Sequence, residues 1–190
     1  MTNHNATTCT RRRALGFSMG LAALAAAPQA FAVPAILRGA GNIRSIRIEN
    51  PRTGDKIDSV YWVEGAYIPE VLNAIDYLMR DWRTDQVKKI DPGLVDIAAA
   101  THKLLNTNEP FTLYSGYRSP RTNRMLATRS RGVATGSYHV KGMAADLHLE
   151  SRSVRQIAAA ASRLSAGGIG KYSRSNFVHL DCGPVRSWGR

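Results

Sequence analysis

The 190-residue chain carries 26 lysines and arginines against 14 acidic residues, a formal charge of +12. That length bounds it to one domain plus an appendage, and no apolar run beyond the first thirty residues is long enough to span a bilayer. Two cysteines, Cys9 and Cys182, exclude a disulfide-rich scaffold.

Residues 1–32 read as a targeting segment. Arg11, Arg12 and Arg13 form a positive start, a small-residue apolar run extends from Ala14 to Ala27, and Ala30-Phe31-Ala32 is an A-x-A cleavage pattern. Arg12-Arg13-Ala14-Leu15 fits a twin-arginine signal, and an ordinary secretory signal with one extra arginine is the alternative. Without this segment, 23 basic residues face 14 acids, a formal +9, and Cys182 is left alone. An exported chain of that charge meets anionic headgroups and wall polymers rather than nucleic acid, or simply carries a solvated basic surface. Val33 to Asn42 is expected to be a flexible lead-in, and 43–190 the folded domain.

The predicted elements follow in order. Ile46 and Ile48 alternate with arginines, and Val60-Tyr61-Trp62-Val63 returns across Pro51-Arg52-Thr53-Gly54-Asp55, which predicts a hairpin. Val71, Leu72, Ile75, Leu78, Met79 and Trp82 have helical spacing. Asp91-Pro92 opens a second helix, with an acid at the N-cap and proline at the first position; its apolar face is Leu94, Ile97, Ala98 and Leu105. Phe111 to Tyr114 reads as a strand. Ser119-Pro120 opens a short helix to about Thr128, and a long loop is expected over Arg129 to Tyr138. Ala145, Leu147 and Leu149 alternate, which puts Asp146 and His148 on the other face of a strand. Ser153 and Gln156 form a capping box ahead of a helix built on Val154, Ile157, Ala158, Ala161 and Leu164. Gly167-Gly168-Ile169-Gly170 reads as a turn, and Phe177 to Asp181 as the last strand. Strands and helices mix without βαβ alternation. The expectation is an α+β single domain with a mostly antiparallel central sheet flanked by helices.

Three polar groups interrupt these apolar segments: His139, Asp146 and His179. Two imidazoles and a carboxylate with a fourth position open are the donor set of a catalytic zinc site, although on spacing alone a buried histidine is more often a hydrogen-bonded core residue than a ligand. His148 shares the face of Asp146 and reads as structural, and His102 lies on a helix with no partner in view.

The longer motifs go further. Ser137-x-His139-x-x-Gly142-x-Ala144-x-Asp146, with DWRT (81–84), IDPGLVD (90–96), SGYRSPRTN (115–123), GGIG (167–170) and FVHLDCGPVRSW (177–188), resembles the zinc D-alanyl-D-alanine peptidase superfamily, which shares the hedgehog-domain fold. Within it, the chain is most similar to exported bacterial murein endopeptidases of the MepK type.

The resemblance implies one zinc per chain, held by His139, Asp146 and His179. It implies that Arg118 stands beside the scissile carbonyl and stabilises the oxyanion, a solvated surface arginine being the alternative. Ser137 would support a ligand or neighbouring backbone, or be a plain turn residue. Gly142 and the alanines would keep side chains away from the metal. Several relatives carry an acid three residues before the last histidine ligand, where this chain has Asn176. Asp181, on the face of His179, is then expected to act as general base, with orientation of a ligand imidazole as its other role.

The implied function is hydrolysis of peptide crosslinks in peptidoglycan, in the periplasm or cell envelope. The crosslink type, endopeptidase versus carboxypeptidase action, and oligomeric state stay open. The alternative is a non-catalytic, zinc-containing wall-binding or partner-binding domain on the same fold. A nucleic-acid partner is not expected, nor a permanent membrane span once the leader is removed.

Overall fold

The computed structural model describes Met1, Gly41–Ser130 and Gly132–Gly189. The expected leader and most of the lead-in lie outside the described residues. Residues Gly41–Gly189 form an α+β unit around one eight-stranded sheet.

The hairpin forms as expected from β1 (Ile43–Glu49) and β2 (Lys56–Val63). A two-residue β3 (Ala66–Tyr67) then adds to the sheet edge. Helix α1 (Pro69–Leu78) ends earlier than the apolar spacing suggests. Met79 caps it, and Trp82 instead lies between Arg52 and Arg83, whose guanidinium carbons sit 4.7 and 4.1 Å from the indole centroid. Helix α2 (Pro92–Leu105) starts where Asp91 accepts a hydrogen bond from the Gly93 N–H. Then follow β4 (Phe111–Ser115) and α3 (Pro120–Arg129), whose N-cap is Ser119.

The expected loop before Tyr138 gives way to a single helical turn, α4 (Tyr138–Lys141). Ser137 caps its start and Gly142 (φ +75°) its end. Strand β5 (Ala144–His148) and helix α5 (Val154–Ser162) agree with the reading, and the Ser153–Gln156 capping box is present.

Two expectations at the C-terminal end are corrected. GGIG is not simply a turn: Gly168 begins β6 (Gly168–Tyr172). Nor is β7 (Phe177–Asp181) the last strand, because β8 (Arg186–Gly189) follows and pairs parallel to β6.

The sheet order is β3-β2-β1-β4-β5-β7-β6-β8. Only the β1/β4 and β6/β8 pairings are parallel, so the sheet is mostly antiparallel. Ala145, Leu147, Val178 and Leu180 join one hydrophobic core with Leu94, Ile97, Ala98, Ile157 and Ala161 of α2 and α5. The alternate residues of the same strands, Asp146, His148, His179 and Asp181, are buried on the other face. A second polar anchor secures α2: Asp96 accepts hydrogen bonds from the Tyr61 and Tyr67 hydroxyls at 2.9 and 2.7 Å and pairs with Arg44. It satisfies a buried carboxylate away from the candidate site.

Candidate metal centre

Strand register assembles the centre. Ser115, Asp146, His179, Gly170 and Trp188 lie in one row across β4, β5, β7, β6 and β8. The adjacent row is Ala144, Asp181, Gly168 and Arg186. In both rows the β6 position is glycine, and the β8 side chain lies over it. A Cβ on Gly170 would stand 2.7 Å from the Trp188 indole, and one on Gly168 would collide with Arg186 and Asp181. These glycines are gaps through which β8 reaches β7. The Trp188 ring lies 5.3 Å from that of His179, and Arg186 makes a two-pronged ion pair with Asp181 at 3.0 and 2.7 Å.

The turn of α4 adds His139 to the rows. His139 Nε2, Asp146 Oδ1 and His179 Nδ1 form a triangle with edges of 3.2, 3.1 and 2.9 Å. Donor atoms on a tetrahedral zinc, at about 2.0–2.1 Å from the ion, stand roughly 3.3–3.4 Å apart, so the triangle fits one face of such a site. The His-Asp-His group is buried, and it is the one cluster of three or more candidate metal-binding side chains among the described residues.

The outer hydrogen bonds fix which ring nitrogens are bare. His139 Nδ1 lies 2.7 Å from the Gly116 carbonyl oxygen, which only accepts, so Nδ1 carries the proton and Nε2 a lone pair. His179 Nε2 lies 3.0 Å from Asp181 Oδ2, which puts its proton there and leaves Nδ1 bare. Two lone pairs and a carboxylate oxygen therefore face one another with no proton between them. A cation is the group that such an arrangement fits.

Asp146 is the charged centre of the group. Burial disfavours the Asp146 carboxylate, but His139, His179 and Arg118 outweigh it and hold its pKa well below the usual range. Burial pulls His139 towards the neutral imidazole. Burial also disfavours a charge on His179, yet Asp146 and Asp181 draw its pKa upward. Asp146 thus favours charge on both histidines; burial outweighs it at His139, whereas Asp181 adds to it at His179, so the net shifts are opposite.

Arg118 donates through Nε to Ser115 Oγ at 2.7 Å and through Nη2 to Asp146 Oδ2. Its side chain is 12% exposed, so it is no solvated surface arginine. Nη1 makes no hydrogen bond among the described residues, and Arg118 lines a cleft of about 480 Å³ with His139, Asp146, His179, Tyr138 and Trp188.

Ser137 accepts a hydrogen bond from the His139 backbone N–H at 3.3 Å, so it supports the backbone of His139 as the cap of α4. Gly142 has a different reason from the one expected. Its φ is positive, and an added Cβ would strike the Lys89 carbonyl rather than a metal.

Asp181 was expected to act as general base or to orient a ligand imidazole, and its surroundings bear on that choice. It is fully buried and absent from the cleft wall. One oxygen accepts from His179 and Arg186, the other from the Gly168 N–H, the Gly183 N–H and Arg186. Burial works against its charge, but His179 and Arg186 hold its pKa well below the usual carboxylate range. A carboxylate buried behind His179 and filled by five hydrogen bonds is poorly placed to take a proton from a nucleophile in the cleft. The geometry favours its other expected role, orienting His179. Asn176 is exposed and absent from the cleft wall, with φ 56°, a left-handed conformation that asparagine tolerates.

His148 shares the sheet face of Asp146 but takes no part in the cluster; it lies 3.2 Å from Glu150 and packs near Tyr114. His102 does have a partner, the Glu109 carbonyl at 2.6 Å, and packs on Phe111. Sequence alone assigns no role to Arg186, Trp188 or the Gly116 carbonyl. The only signal for the first two was their place in the closing motif.

The chain matches the family model Peptidase_M15_2, described as peptidoglycan L,D-endopeptidase MepK, over residues 38–188. It is 46% identical over 145 residues to the peptidoglycan L,D-endopeptidase MepK of Escherichia coli K12, covering 76% of this chain and 80% of that protein. It is 39% identical over 146 residues to the probable peptidoglycan L,D-endopeptidase MepK of Haemophilus influenzae, covering 76% and 78%. Among solved structures, the L-Ala D-Glu endopeptidase ChiX of Serratia marcescens matches 40% of this chain and 62% of its own, at 23% identity and a TM-score of 0.33, too slight to carry an argument. M15 peptidases are metallopeptidases, and the His139–Asp146–His179 triangle fits that description. By the span of the family match and its likeness to these relatives, the chain belongs to the Peptidase_M15_2 family.

Proposed function

We propose that this chain is a zinc-dependent endopeptidase that hydrolyses peptide crosslinks of peptidoglycan in the cell envelope, at the L,D linkage named for its relatives. The observation that carries the reading is the triangle of two bare imidazole nitrogens and a carboxylate oxygen at the cleft wall, with Arg118 beside it.

His139, Asp146 and His179 would hold a zinc ion, which when bound would supply a Lewis acid to polarise the scissile carbonyl and acidify a water. Arg118, fixed by Ser115 and Asp146, has Nη1 left to donate to the carbonyl oxygen as negative charge develops there. Asp181 keeps the proton of His179 on Nε2, and Arg186 keeps Asp181 charged and in place. Tyr138, Tyr172, Phe177 and Trp188 give the cleft an aromatic wall that can pack against the stem peptide. Residues 1–32 serve as the export leader, by the twin-arginine route that Arg12-Arg13 supports.

The test is incubation of zinc-loaded protein with muropeptide dimers joined through a 3-3 or a 4-3 crosslink, with products identified by mass. Cleavage of the 3-3 dimer alone is expected. No cleavage of either dimer, with zinc bound, would favour the binding-domain alternative.

A further inference from the structure

Beside the metal centre lies a group of cations that the reaction above does not use. Asp81 is buried, and its two oxygens accept the backbone N–H of Arg83 at 3.1 Å and of Ser119 at 2.9 Å. One carboxylate therefore ties the Arg83 loop to the residue that follows Arg118. Arg83 and Arg52 stack on Trp82. Arg129 ends α3, and its neighbour Ser130 lines the catalytic cleft with Arg118. Arg52, Arg83 and Arg129 are exposed, and none of them forms an ion pair among the described residues. By contrast Arg44, Arg47, Arg80 and Arg186 all have acid partners.

The charges sense one another. Burial, and the positive charges of Arg52, Arg118 and Arg129, lower the Arg83 pKa against the opposing pull of Asp81. Arg52, Arg83 and Arg129 outnumber the Asp81 carboxylate that opposes them, and the cost of that excess positive charge is relieved when an anion binds.

We propose that Arg83, with Arg52 and Arg129 around it, forms a carboxylate subsite that holds a free carboxylate of the stem peptide while the scissile bond lies at Arg118. A guanidinium fits this task because its planar fork matches a carboxylate, and the Trp82 face restricts how Arg83 can turn. An anionic lipid surface offers charge of the same sign. The link through Asp81 to Arg118, and the continuity through Arg129 and Ser130 with the cleft, favour a ligand that also enters the cleft. The inference rests on the reading of the chain as a peptidoglycan hydrolase.

The experiment uses two synthetic 3-3 crosslinked tripeptide dimers, one with free carboxylates and one with those carboxylates amidated. Binding of each to the chelated full chain is measured by calorimetry, and hydrolysis by the zinc-loaded chain is followed in parallel. The free-acid dimer is expected to bind wild type about tenfold more tightly than the amidated one, the scale of one charge-assisted contact. Arg83→Ala should remove that preference, and Arg155→Ala, the same charge loss on α5, should not.

Equal binding of both dimers by wild type overturns the subsite, as does an Arg83→Ala variant that keeps the preference. Loss of binding to phosphatidylglycerol vesicles, with dimer binding intact, reassigns the arginines to a membrane face. If wild type neither binds nor cleaves either dimer, the hydrolase reading fails and the subsite fails with it. Cleavage without any carboxylate preference removes the subsite alone.

Discussion

Replacing Asp181 by asparagine separates its two possible roles, and the structure gives the direction and the scale. The carboxylate accepts five hydrogen bonds: from His179, from the N–H groups of Gly168 and Gly183, and two from Arg186. An asparagine has one acceptor oxygen and an NH₂ that only donates. If its oxygen faces His179, its NH₂ faces three donors: Gly168, Gly183 and one arm of Arg186. If its oxygen faces those three, its NH₂ faces His179 Nε2, which must then give up its proton. The second choice leaves fewer donors opposed to donors, and it moves the imidazole proton to Nδ1, the atom that would bind the metal. Asp181→Asn is therefore expected to weaken zinc binding about 10–100-fold, the usual effect of losing the partner behind a ligand histidine, or about 1.4–2.7 kcal/mol. Competition with a chromophoric chelator measures the affinity, and circular dichroism confirms the fold. Turnover should return when free zinc is raised enough to refill the site. Unchanged zinc affinity with turnover lost at saturating zinc would refute this reasoning and restore Asp181 as the proton acceptor.

Other outcomes follow from the same geometry. Protein purified without a metal-binding tag should contain about one zinc per chain; His139→Ala and His179→Ala should each abolish stoichiometric binding by elemental analysis, and retention by both would place the metal elsewhere. Arg118→Lys should keep zinc but lower kcat on the order of 10²-fold on the 3-3 dimer, because lysine cannot reach Ser115, Asp146 and a carbonyl oxygen in one plane; unchanged kcat would remove Arg118 from the reaction. Cys182 should alkylate more than about 100-fold slower than free cysteine at pH 8, measured by mass after iodoacetamide. Burial first, and then Asp91, push its thiol up to about 12, so the reactive thiolate appears only as pH rises far above 8.

What the sequence discloses divides by range. The hairpin, α2 and α5 were legible because their signals are local: alternation in Ile46 and Ile48, Asp91-Pro92, and the Ser153–Gln156 box. The turn of α4 was equally local, since Ser137 and Gly142 cap it at both ends, but a four-residue helix has too short an apolar period to register. The candidate metal-binding residues could be named from motif resemblance, whereas their meeting at one point depends on register, which places Asp146 opposite His179. Gly168 and Gly170 show the limit most clearly. In sequence, three glycines in four residues mean backbone freedom and hence a turn. In the sheet, two of those glycines occupy strand positions whose missing side chains are replaced by Arg186 and Trp188 from eighteen residues later. Neither segment explains itself: β6 has no reason for its glycines without β8, and Arg186 cannot reach Asp181 without the gap at Gly168. The surroundings of Asp181 were hidden for the same reason. Alternation along β7 put it on the face of His179 correctly, but only the pairing across β6 shows that Arg186 approaches its carboxylate from β8, behind the ring whose far nitrogen meets Asp146.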